Sequence, residues 1–196
     1  MNDALNALKT RRSVSVRDMV APAPSDVDLQ QILTVATRVP DHGKLCPWRI
    51  VVLSEAGAVK LGDIAAQQFA SANLQAEEKH LEAERQRFRR APLCLAVLSM
   101  PILATKPVWE QELSAGSVCM NILHAAHALG YAGKWLTEWV AYDSAILAAL
   151  VAASSPHSTH AAEQPRIAGF IYLGSKASEP EDRERPDLAE VVSELK

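Results

Sequence analysis

Several familiar signatures are missing from these 196 residues, and each absence removes a class of protein. No apolar run approaches the roughly eighteen residues of a membrane-spanning helix, so no membrane span is expected. Met1-Asn2-Asp3-Ala4 lacks the basic start and apolar stretch of a secretory leader. The three cysteines, Cys46, Cys94 and Cys119, are odd in number, widely spaced and free of any Cys-x-x-Cys pairing. They read as reduced thiols, which points to a cytoplasmic protein. A net charge of −3 gives no general pull towards nucleic acid or an anionic membrane. Nothing repeats at a fixed period. No Gly-x-Gly-x-x-Gly follows a strand and no phosphate loop ends in Gly-Lys-Ser/Thr, so any bound nucleotide must be held by arginines and hydroxyls. Gly-x-Ser-x-Gly is absent too, which removes the hydrolase elbow. His124/His127 and His157/His160 are each three apart, but neither pair has the third and fourth ligands that zinc needs, and no metal is expected.

What is present is ordinary globular composition, 48% apolar and 22% charged, in a length that suits one domain over residues 1–196. A short first helix opens at Asn2 or Asp3 and ends in the cationic turn Lys9-Thr10-Arg11-Arg12-Ser13. Ser25 to Asp28 resembles a capping box for a second helix reaching about Arg38. Trp48 to Leu53 and Leu93 to Met100 read as strands apolar enough to be covered on both faces. Residues 75–90 place glutamates before arginines and read as an exposed surface helix. The longest helical pattern covers 110–129, apolar almost all round, and Gly130 closes it through a left-handed turn. Asp143 caps a helix ending near Ala153, Ser154 to Gln164 is a polar loop, and Arg166 to Gly174 is the last strand. The tail from Lys176 keeps Leu188, Val191, Val192 and Leu195 and needs a surface to lie against. The order of elements implies an α+β or three-layer α/β domain around the long helix.

Two segments concentrate the chemistry. Arg38-Val-Pro-Asp-His-Gly-Lys-Leu-Cys-Pro-Trp-Arg49 is a stiff, cationic, aromatic connection between two buried elements, the kind of loop on which a scaffold presents function. Cys46 within it is a candidate for a lowered thiol pKa, although no base accompanies it. Arg11-Arg12-Ser13 offers two guanidiniums and a hydroxyl where a helix gives way to a turn. That set suits a phosphate, and it also suits a solvated cationic helix end.

Taken in order, Arg11-Arg12-Ser13, the Pro-Asp-His42 and Pro47-Trp48-Arg49 block, and Trp109-Glu-Gln-Glu-x-Ser-Ala-Gly116 resemble the nitroreductase family, in its compact YdjA-type branch. Gly133-Lys-Trp135 and the Gly-Phe-Ile-Tyr-Leu-Gly174 strand extend the match over about residues 4–174. The resemblance implies a three-layer α/β/α fold with a mixed, mainly antiparallel sheet and a long central helix. It further implies an intertwined homodimer with FMN at the subunit interface, the 176–196 arm lying on the partner. The implied activity is FMN-dependent reduction of nitroaromatics, quinones or similar flat acceptors by NADH or NADPH, through a ping-pong hydride transfer. A flavin-storing or dehalogenase-like flavoprotein, or a dimeric module without flavin, is the alternative.

By position, Arg11, Arg12 and Ser13 would hold the ribityl phosphate from one subunit, and Arg38 and His42 would reach the same flavin from the other. Trp135, Leu136 and Thr137 match the stretch that touches FMN, and Arg183 and Arg185 match basic tail residues at the phosphate. The neighbourhood of Gly130 corresponds to a nicotinamide-nucleotide contact. Three positions depart from the pattern. Leu136-Thr137-Glu138 stands where relatives often have Arg-Ser-Gly, Ser15 where many carry a cation, and Cys46 where a polar or basic residue is common.

Overall fold

In the computed structural model, which describes residues 3–103, 106–154 and 164–195, the elements follow in a mixed order. They are α1 (Asp3–Thr10), β1 (Met19–Val20), α2 (Asp26–Ala36), β2 (Trp48–Val52), α3 (Glu55–Ala72) and α4 (Glu78–Arg85). Then come β3 (Leu93–Ser99), α5 (Val108–Ala128), β4 (Ala132–Leu136), α6 (Ser144–Ala153), β5 (Arg166–Lys176) and α7 (Leu188–Val191).

Strand order is β1-β5-β3-β2, with β4 also paired to β5, and these pairings are antiparallel. A parallel bridge from Ser13 to Gly133 makes the sheet mixed. Side chains alternate across it with the period of a strand. Cys94, Ala96, Leu98, Phe170 and Tyr172 face a layer containing α3 and α6. Leu95, Val97, Ile171 and Leu173 face α2 and α5. Two apolar layers on one sheet give the three-layer α/β/α arrangement and two halves of core.

The helix ends follow from local chemistry. Ser25 Oγ accepts from Asp28 N at 3.2 Å and donates to the Asp28 carboxylate at 2.8 Å, fixing the start of α2. Asp143 Oδ1 accepts from Ala145 N and Ile146 N, both at 2.9 Å, and starts α6. Gly130, at φ 89°, lets Tyr131 N reach Ala126 O at 2.9 Å and Gly130 N reach His127 O at 3.0 Å, which closes α5 as a Schellman turn.

Two expectations need correction. β2 is covered on both faces only in part: Val51 packs towards the α3/α6 layer and Trp48 and Ile50 towards the α2/α5 layer, but it is an edge strand with Val52 exposed, since among the described residues only β3 pairs with it. Residues 75–90 do not form one exposed helix. α4 ends at Arg85, and a 3-10 turn over Arg87–Arg89 drives Phe88 into the core, 1% exposed, with Glu84 buried beside Arg87. The charge order described the helix well but carried no sign that Phe88 would pull the segment inward. His157 and His160, and most of the polar loop between 154 and 164, lie outside the described residues.

Candidate active site

The turn after α1 is tied to the sheet. Val14 N donates to Gly133 O at 3.3 Å and Ser13 bridges Gly133 in parallel, so Arg11-Arg12-Ser13 lies at the start of β4 and the chain after it runs on alongside the strand towards Trp135. The chain tail returns to the same place. Arg12 Nε donates to Glu181 O at 3.0 Å and sits 3.5 Å from the Asp182 carboxylate, which also lies 3.9 Å from Arg185. Arg185 Nη1 donates to Arg183 O at 2.9 Å. Arg11, Arg12 and Arg185 therefore gather around one spot with Asp182 as a partial counter-charge, and Arg183 meets it through its main chain.

Arg11 is the least satisfied of them. Its Nη1 is buried and has no hydrogen-bond partner among the described residues. Burial, then the charges of Arg185 and Arg12, lowers its pKa from the ordinary arginine value. A buried donor without an acceptor, among like charges, costs free energy that an anion would recover. The cationic field extends to α5. His127 Nε2 and Thr10 Oγ1 are 3.1 Å apart, and because that hydroxyl already donates to Asn6 O at 2.8 Å, the imidazole is the donor. His124 is lowered by burial, by Arg11 and by His127; His127 is lowered by burial, by Lys176 and by Arg11, with Glu179 opposing.

At the other end of α5, His42 Nδ1 lies 2.5 Å from Glu110 Oε2. Asn121 Nδ2 donates to Val35 O at 3.1 Å and Arg38 O at 3.0 Å, which docks the end of α2 on the long helix. Asp41 shapes the loop between, accepting from Leu45 N at 3.0 Å and Cys46 N at 2.8 Å. Gly43, Lys44 and Cys46 all have positive φ. Trp48 opens β2, and its Nε1 donates to Ser114 Oγ at 3.2 Å, whose hydroxyl donates to Pro40 O at 2.7 Å. Trp48 is thus a loop anchor. Cys46 corrects an expectation: burial, then Asp41, raises its thiol pKa despite the opposing charge of Arg49. Loop cations did not decide it, because burial and the Asp41 carboxylate together outweigh Arg49.

Within one chain these two groups stay apart. Glu110 and His127, which hold their respective members, are separated by about 25 Å along a straight helix. The chain brings Arg11, Arg12, Ser13, Arg185 and the start of β4 together, and leaves His42 at the opposite end of α5.

The β4 stretch presents backbone more than side chains. Trp135 turns its indole inward and donates to Ala168 O at 3.0 Å, at the bulge where β5 shifts register against β3. A Cβ at Gly169 would sit 2.0 Å from Trp135 Nε1, so this glycine makes room for the ring. Leu136 packs on the α3/α6 layer and Thr137 is half-buried. Glu138, where the family resemblance leads one to expect glycine, has φ 51° and ψ −176°. Its carboxylate is held by Arg87 and Arg90. No short-range pattern in Trp-Leu-Thr-Glu-Trp announces that role, since both arginines come from some fifty residues earlier. Gly130 closes α5 through its positive-φ turn.

The Nitroreductase family model matches residues 8–161. The chain belongs to the nitroreductase family. It is 33% identical over 174 residues to "Putative NAD(P)H nitroreductase YdjA" of Escherichia coli (strain K12), with 88% of each chain covered. A Haemophilus influenzae protein of the same description, without the YdjA label, is 37% identical over 141 residues, covering 70% of this chain and 74% of that one. The nitroreductase fold is shared with a nitroreductase-like protein of Bacillus cereus at a TM-score of 0.76 and 21% identity, over 98% and 95% of the two chains. A nitroreductase with bound FMN from Bacteroides fragilis superposes at 0.72 and 21% identity over the full length of both. By family this nitroreductase is an oxidoreductase. Among the described residues no helix is long and apolar enough to cross a membrane, and no group of three or more His, Cys, Asp or Glu could hold a metal.

Proposed function

We propose that this chain is an FMN-dependent NAD(P)H oxidoreductase that reduces nitroaromatics, quinones or similar flat acceptors by a ping-pong cycle, working as a homodimer with flavin at the subunit interface. The observation that carries the reading is the buried, unpartnered Arg11 Nη1 within the Arg11-Arg12-Arg185 group. That donor set fits a phosphomonoester: guanidiniums fork onto phosphate oxygens, and Ser13 follows them in the chain where it bridges β4. The relatives described as NAD(P)H nitroreductases and the FMN-bound fold neighbour support the same cofactors.

FMN, when bound, supplies the hydride chemistry between nicotinamide and acceptor. The protein's part is binding and orientation. Arg11, Arg12 and Arg185 hold the phosphate end, with Arg183 completing the basic tail. Trp135, Leu136 and Thr137 offer main-chain groups along β4. Leu136 packs inward, so no side chain of that position reaches the ring. Ser15 Oγ accepts from Arg17 N at 3.3 Å, so position 15 supplies a turn contact and no cation. Arg38 and His42 approach from the partner subunit, since one chain holds His42 and Arg11 too far apart for a single flavin.

The visible spectrum of purified protein tests the cofactor. Flavin absorption bands are expected, either as isolated or after addition of FMN, and a protein colourless under both conditions overturns the proposal. Anaerobic NADH or NADPH is then expected to bleach those bands, and a nitroaromatic to restore them. Bands that neither nucleotide bleaches would leave a flavin-storing protein in place of a reductase.

A further inference from the structure

Glu138 carries an unusual combination of backbone and side chain. Its φ of 51° and ψ of −176° belong to a region that glycine enters freely and other residues avoid. Its carboxylate is gripped from two directions. Arg90 Nη2 donates at 2.5 Å and Nη1 at 3.1 Å, while Arg87 Nη1 stands 2.9 Å away. The guanidiniums are themselves fixed. Arg87 Nε donates to Glu84 Oε2 at 2.5 Å, and Arg90 Nε donates to Arg87 O at 2.9 Å. Arg90 Nη2 also donates to the Tyr172 hydroxyl at 3.1 Å, and that hydroxyl donates to Arg87 O at the same distance. Tyr172 lies in the core on β5, directly opposite Lys134 of β4. The network therefore ties the residue after Leu136-Thr137 to the centre of the sheet. Burial would raise the Glu138 pKa, but the bonds and charges of Arg90 and Arg87 outweigh it and lower it, so the carboxylate is charged in neutral solution.

We infer that Glu138 is a positioning residue for the cofactor: its carboxylate, clamped by Arg87 and Arg90, holds a glycine-type backbone that fixes the Leu136–Thr137 main chain against the flavin. This rests on the proposed placement of FMN along β4. It explains how the stretch presents main-chain groups although no glycine occurs in it. Glutamate supplies with a clamp what glycine supplies through conformational freedom. The 3-10 turn that pulls Phe88 into the core is the device that brings Arg87 and Arg90 into reach.

Three proteins, wild type, Glu138→Ala and Glu138→Gly, separate positioning from general stability. Both variants remove the carboxylate from the arginines, so both are expected to lower the melting temperature of flavin-free protein, Glu138→Ala by more because glycine relieves the backbone strain. Only Glu138→Ala also opposes the backbone conformation. FMN affinity, followed by flavin fluorescence, is expected to fall about tenfold or more in Glu138→Ala and to stay within about threefold of wild type in Glu138→Gly. Equal affinity in Glu138→Ala and wild type overturns the inference, as does an equal loss in Glu138→Gly. If Glu138→Ala fails to fold, Glu138→Gln carries the test, because it keeps the size and loses the charge. Severalfold weaker FMN is then expected, and unchanged affinity overturns the clamp. A wild-type protein that binds no FMN defeats the proposed function and this inference together, whereas binding that is blind to position 138 defeats this inference alone.

Discussion

Arg11 and Arg12 are neighbours in sequence but differ in what they have left to offer. Arg12 already donates to Glu181 O and pairs with Asp182, whereas Arg11 has a buried nitrogen with no acceptor. Charge-assisted hydrogen bonds are worth about 1.5–3 kcal/mol each, so Arg11→Ala is expected to weaken FMN binding by about tenfold or more. Arg12→Ala is expected to weaken it less, and exposed Lys60 on α3 changed to Ala not at all; equilibrium dialysis with FMN gives the order. The histidines beside Arg11 give a second residue-scale test. The folded pKa of His124 is depressed by burial, by Arg11 and by His127. Folded protein thus binds fewer protons than unfolded protein between the depressed value and the ordinary one. Stability contributed by this group is present above the ordinary histidine value and is lost as pH falls through the depressed one. Titration of flavin-free protein by NMR is expected to place His124 below the ordinary value and to move it upward in Arg11→Ala.

Elements were readable where one local rule decides them. Ser25, Asp143 and Gly130 mark helix ends through short-range hydrogen bonds that sequence spacing exposes directly. β3 and β5 announced themselves as apolar runs because both faces of the sheet's centre are covered. The reading failed where distant packing decides. β2 resembles β3 in composition, yet it takes an edge position that composition does not encode. Residues 75–90 obey the charge pattern of a surface helix until Phe88 finds the core against Phe170, their ring centroids 4.9 Å apart. At the candidate site the basic turn after α1 was legible as a motif. The convergence of Arg185 upon it, and the grip on Glu138, depend on contacts between segments far apart in sequence. The same distant packing sets α3 against α4. A Cβ on Gly62 would sit 2.1 Å from the Arg85 carbonyl oxygen, so the two helices meet backbone to backbone there. Gly62→Ala must push them apart, and overpacking of that kind costs about 1–3 kcal/mol. Denaturant unfolding is expected to show that loss. Since Arg85 directly precedes the turn that carries Arg87 and Arg90, FMN affinity should fall in parallel if the shift reaches Glu138.

At the scale of the molecule, the single chain leaves unfinished surface at two places. Trp109 is 66% exposed and Leu113 is 52% exposed on the outer face of the first half of α5, next to the end that carries His42. In the tail, Leu188, Val191 and Val192 are each more than 60% exposed, and Leu195 is fully so. Scattered apolar residues are ordinary on a protein surface, but a tryptophan and a leucine one turn apart on the longest helix form a contiguous patch. A second copy of the chain would cover it and would at the same time deliver its Arg38–His42 loop to the cofactor site, from which the chain's own His42 is separated. Assembly and flavin retention are therefore expected to fail together. Leu113→Glu places a charge in the patch without touching the Arg11 group, and it acts on no buried core position. Sedimentation at micromolar concentration should show a dimer for the wild type and a shift towards monomer for Leu113→Glu. The variant should also release FMN although every phosphate-holding arginine is intact. Two outcomes would separate the site from the assembly: a monomeric wild type that holds FMN tightly, or a monomeric variant that keeps wild-type affinity. Either would require the whole flavin site to be built within one chain, and the distance between His42 and Arg11 would then exclude His42 from it.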